Sequence, residues 1–94
     1  MATFIVEYTY DPSRATEMDE VRPAHRAHLS KLHDAGIIRL VGSWKDPAPG
    51  ALIIIEADSS EGALQALNED PFYIAGFIKN RDAHPYTIVF GELA

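Results

Sequence analysis

The stretch VRPAHRAHL, Val21 to Leu29, sets a proline and two histidines at the head of an amphipathic run. With no cysteine in the chain, thiolate nucleophiles, disulfides and cysteine-held zinc drop out together, leaving His, Asp and Glu as the strong candidates for chemistry. An imidazole titrates near neutrality, so each of the four histidines is a candidate proton carrier. Only their placement can separate them.

At about 100° per residue from Met18, His25 falls near 340° between Val21 and Leu29, in the middle of the apolar arc. His28, near 280°, and His33, near 60°, fall at its two edges on the same arithmetic. Three readings of His25 stand open at this point: a core histidine satisfied by one hydrogen bond, a general base on a pocket floor, or half of a His25/His28 metal pair. The metal reading lacks an HExxH pattern or a carboxylate at ligand spacing on the helix. His84, just before Pro85, reads as an exposed loop residue.

The carboxylate of interest is Asp70 in NEDPFYIAGF, directly before Pro71. Asp at N-cap with Pro at N1 starts a short helical turn. The same side chain can orient the His25 imidazole and stabilise its protonated form, because a carboxylate offers roughly four acceptor sites.

The elements that must bring these residues together read as follows. TFIVEYTY, Thr3 to Tyr10, alternates with Phe4, Val6, Tyr8 and Tyr10 on one face and predicts a strand. Because the residue before a proline avoids the α region, Pro23 is expected near N1 of a helix that runs to Ala35, with Gly36 at the C′ position. Strands are expected at Ile37 to Lys45 and Ala51 to Ala57, with DPAPG as the turn between them. Asp58 or Ser59 caps a second helix, and YTIVFGEL, Tyr86 to Leu93, is expected as the fourth strand.

The order βαββαβ predicts an α+β, ferredoxin-like fold: an antiparallel four-stranded sheet with two helices on one face. The 94 residues are expected to form a single domain, 1–94. Both middle strands run apolar without alternation, Leu52 to Ile55 and nearly so from Ile37 to Val41. At about 25 cal/mol per Å², exposing such a face costs several kcal/mol, so a homodimer packed sheet against sheet is expected.

Composition bounds the partners. A hydrophobic fraction of 47% supports a packed core, and a net charge of −6 without a basic stripe speaks against nucleic acid. No apolar run reaches bilayer-spanning length and no signal-peptide pattern opens the chain, so a cytoplasmic protein that does not bind membranes is expected.

RPAH (Arg22 to His25), LHDAG ending at Gly36, Val41-Gly42, GALII.EADS (Gly50 to Ser59) and DPF...AG (Asp70 to Gly76) together resemble the YciI-like, or YCII-related, family. The resemblance covers nearly the whole chain, with RPxH and DPF as its most specific pieces. It implies a ferredoxin-like dimeric α+β barrel, similar to muconolactone isomerases, with an active site centred on a His-Asp pair, here His25 and Asp70. The characterised activity it brings is a dehydrochlorinase acting on a chlorinated hydroxyhydroquinone. Where the family often has Gly-Pro after the second strand, this chain has Gly42-Ser43 followed by Trp44.

The expected function is a cofactor-independent lyase or isomerase for a small cyclic or aromatic molecule, with His25 moving a proton and Asp70 holding the imidazole. Tyr8, Arg22, Ser43, Trp44 and Phe72 are the further candidates for lining the site. No metal or cofactor is expected. The alternative is a module of the same fold that binds a small ligand without chemistry.

Overall fold

Four strands and their connecting helices follow from the local signals, with two displacements that tertiary pairing explains. In the computed structural model, residues 1–93 are described. Strand β1 covers Ala2–Tyr10, β2 Ile38–Trp44, β3 Gly50–Ala57 and β4 Ile78–Pro85. They form one antiparallel sheet in the order β2-β3-β1-β4. Helix α1 covers Ala15–Asp34, α2 Ser60–Ala66 and α3 Pro71–Ile74. The fold is α+β and ferredoxin-like, as the βαββαβ order predicts.

Phe4, Val6, Tyr8 and Tyr10 of β1 lie beside Ile53 and Ile55 of β3 in a core shared with Met18 and Leu29 of α1 and Ala63 of α2. The opposite face is less bare than the sequence implies. Ile54 points away from the core-facing residues Ile53 and Ile55, yet it is buried within the single chain. Exposed apolar side chains gather instead on β2, at Leu40, Val41 and Trp44, and in the tail, at Ile88, Val89 and Phe90, with Ile74 of α3 also open.

The first correction concerns Pro23, which lies inside α1 rather than at its start. The polar segment before it folds because Asp11 accepts the Ser13 N–H at 3.0 Å and caps a short 3-10 turn, Pro12–Arg14, that leads into α1. Salt bridges along the first turns of α1, Arg14 to Glu17 at 2.7 Å and Arg22 to Asp19, follow the i, i+3 spacing of a helix already formed. Pro23 is exposed, so the Asp19 carbonyl that it deprives of an N–H donor faces water.

The second correction concerns the last strand: β4 is the polar segment Ile78–Pro85, and Tyr86 to Leu93 is irregular. Pairing with β1 decides this. The register runs from Tyr10 opposite Ile78 to Phe4 opposite Pro85, and the Tyr86 N–H donates to Thr3 O at 2.9 Å. Only Ala2 and Met1 then remain of the β1 end, so the apolar tail finds no strand to join. An edge position also suits the polar side chains and the missing N–H of Pro85. His84 accordingly sits in a strand, although it is exposed as expected.

Candidate active site

Asp70 is where the local and the long-range signals meet. As N-cap of α3, its Oδ1 accepts the Phe72 N–H at 2.9 Å, while Pro71 occupies the first turn. The same Oδ1 lies 2.7 Å from His25 Nδ1, and Oδ2 accepts the Tyr8 hydroxyl at 3.1 Å. The cap and the orienting contact therefore coexist on one carboxylate. Asp70 is fully buried and His25 is 7% exposed, the two buried polar side chains among the described residues.

Burial makes these contacts consequential. A carboxylate sealed from water needs its acceptor sites filled, and here a backbone N–H, a phenol and an imidazole fill them. Facing a carboxylate, Nδ1 is assigned as the protonated nitrogen, which leaves the lone pair on Nε2. Nε2 has no partner among the described residues, it is not sealed from solvent, and the ring lines a cleft. The Phe72 ring lies parallel to the imidazole, 3.8 Å between centroids and 7° between planes, and fixes its remaining rotation. An imidazole so held is arranged to accept a proton at Nε2.

The cleft, of about 1180 Å³, opens between α1 and β2. Met18, Arg22, His25, Arg26 and Leu29 form its helical wall, Leu40 to Lys45 its strand wall, and Tyr10 and Phe72 its end. Ser43, Trp44, Phe72 and Arg22 line this cleft; the Arg22 guanidinium stands 5.7 Å from the Phe72 ring centre. Trp44 depends on a glycine across the strand pair: a Cβ at Gly50 would lie 2.8 Å from the indole and 2.7 Å from the Tyr8 carbonyl.

Tyr8 is placed differently from expectation. It is buried behind Asp70 and does not line the cleft. Burial first, and then the Asp70 charge, push its phenol well above the ordinary value, so it stays protonated and donates. The cleft-lining tyrosine is Tyr10, which sequence reasoning assigned only to the core face of β1. The signal available was its place two residues beyond Tyr8, at the strand end. His28 does not join His25 in the cleft; its Nε2 is buried without a partner among the described residues. Among the described residues, no three His, Cys, Asp or Glu side chains gather as a metal site.

The model of the YCII-related domain matches residues 1–87. The chain belongs to the YCII-related family. It is 33% identical over 95 aligned positions to Protein YciI of Escherichia coli O6:H1, an alignment that spans 90% of this chain and 97% of that one. Protein YciI of Shigella flexneri matches to the same extent. Among solved structures, this YCII-related chain is similar to 5-chloro-2-hydroxyhydroquinone dehydrochlorinase of Burkholderia phenoliruptrix AC1100, in complex with 2,5-dihydroxybenzoquinone. The TM-score is 0.78 at 20% identity, covering 90% of this chain and 93% of that one, a likeness of fold.

Proposed function

We propose that this protein is a cofactor-independent enzyme of the lyase or isomerase type, acting on a small cyclic or aromatic metabolite by general acid/base catalysis at His25. The observation that carries the reading is the buried His25-Asp70 pair, with Nδ1 held at 2.7 Å and Nε2 open to the cleft. In the reaction, Nε2 takes a proton from a ring hydroxyl or from a carbon beside a carbonyl. The Asp70 carboxylate stabilises the imidazolium that results, and the proton is then returned to another position or follows a leaving group out. Tyr10, Phe72 and Trp44 supply aromatic surface for a planar ring. The fold neighbour's quinone ligand makes hydroxylated and chlorinated hydroquinones the first compounds to assay.

We further propose that the protein works as a homodimer in the cytoplasm. The exposed apolar side chains of β2 and the tail support the assembly, and the absence of cysteine suits a reducing compartment.

The decisive experiment compares wild type with His25→Ala on chlorinated hydroxyhydroquinones and muconolactones. The expected result is a loss of about 10² to 10⁴-fold in kcat in a variant that keeps its circular dichroism spectrum. Turnover retained by His25→Ala would remove the imidazole from the mechanism. Binding of these rings without turnover by wild type would instead identify a ligand-binding module.

A further inference from the structure

A base at His25 builds negative charge on a substrate oxygen, and the cleft offers two groups to receive it. Tyr10 is buried among aromatic rings, edge-on to Tyr8 at 6.1 Å and to Phe72 at 5.7 Å between centroids. Its hydroxyl makes no hydrogen bond among the described residues and is not sealed from solvent, and the residue lines the cleft. Tyr8 spends its hydroxyl on Asp70; Tyr10 has no such engagement. Arg22 precedes His25 by three residues on α1, so both side chains project from the same side of the helix. Its guanidinium stands over the Phe72 ring, which also stacks on the imidazole.

Charge around the cleft points the same way. Arg22, Arg26 and Lys45 line it against two acids, Asp11 and Asp19. Asp11 accepts from Ser13 and Asp19 pairs with Arg22, so the lining carries a net excess of one cation. On a chain of net charge −6, an excess of cations in this aromatic cleft favours an anionic ligand.

We propose that the Tyr10 hydroxyl and the Arg22 guanidinium form an oxyanion-binding pole beside His25, and that the substrate class is therefore a ring carrying an acidic oxygen: a phenol, an enol or a carboxylate. This deepens the reading of the cleft as a ring-binding active site. Burial first, and then the nearby Asp70 charge, raise the Tyr10 phenol above its ordinary value while Arg22 opposes them, so the hydroxyl remains a neutral donor throughout the physiological range. A neutral donor and a fixed cation stabilise charge on oxygen without competing for the proton that His25 moves.

The test uses binding, so that it stands apart from turnover. The affinities of 2,5-dihydroxybenzoquinone, whose hydroxyls are acidic, and of the neutral 2,5-dimethoxybenzoquinone are measured by calorimetry on wild type, His25→Ala, Tyr10→Phe and Arg22→Gln. Wild type and His25→Ala are expected to favour the acidic quinone. Tyr10→Phe and Arg22→Gln are each expected to lose roughly tenfold or more of that affinity, with binding of the ether unchanged. A general loss of packing would weaken both quinones together, whereas loss of the pole lowers their ratio. Acidic quinone bound no tighter than the ether by wild type, or a ratio unchanged in both variants, would overturn the proposal. Failure of the catalytic reading shows separately, as absent turnover with the ratio intact.

Discussion

Tyr8 separates a supporting role from a lining one, and its chemistry gives a measurable consequence. Replacing it by Phe leaves Asp70 Oδ2 buried without its donor, expected to cost about 1 to 3 kcal/mol at pH 7. The pH dependence follows from the direction of its shift. Its phenol is raised from 10.0 in the folded chain, so the folded protein keeps a proton that the unfolded chain releases. Wild-type stability at this position is therefore fully present below about pH 10 and lost as the pH climbs beyond it, and Tyr8→Phe should flatten that alkaline fall. Urea midpoints across pH 7 to 11 check both statements. His25 and Asp70 were legible as candidates because a polar residue interrupts an apolar arc and an Asp precedes a Pro. That Tyr8 backs the carboxylate while Tyr10 meets the cleft was not legible, since both lie on one face of one strand and only the position of Asp70 tells them apart.

At the scale of elements, α1 shows propensity yielding to packing. Pro23 argues locally for a helix start, but Met18 and Val21 extend the apolar stripe a further turn and a half, and the capped turn at Asp11 supplies an entry. The exposed proline therefore carries a helix-interior cost, and Pro23→Ala should stabilise the protein by about 1 to 3 kcal/mol. A rise of several degrees in Tm by calorimetry checks it. Activity in the same variant tests whether the proline serves the neighbouring Arg22 and His25. Strand β4 makes the complementary point. Its polar residues give no strand signal, and the more apolar Tyr86 to Leu93 reads better as one; pairing length along β1 overrides both.

For the whole molecule, the exposed apolar surface bears on assembly. Phe90 is 94% and Val89 78% exposed, beyond the last strand and away from the core, so Val89→Asp with Phe90→Asp should leave the protomer folded. The expected outcome in analytical ultracentrifugation is a wild type near twice 10.4 kDa and a double variant shifted toward the monomer. A wild-type monomer at micromolar concentration would remove the homodimer proposal. What the amino-acid sequence determined by itself is the set of local commitments: the alternation of β1, the inward face of His25, a cap at Asp58 or Ser59 and another at Asp70, and the element order that selects an antiparallel sheet. These depend on neighbours within about a turn or a strand, where spacing and steric preference act directly. The tertiary structure alone decided which segment forms β4, which tyrosine faces the cleft, and that residues 45 apart close to 2.7 Å. Those outcomes depend on register and on desolvation of groups distant along the chain, and both come into being only when the sheet and α1 are packed together.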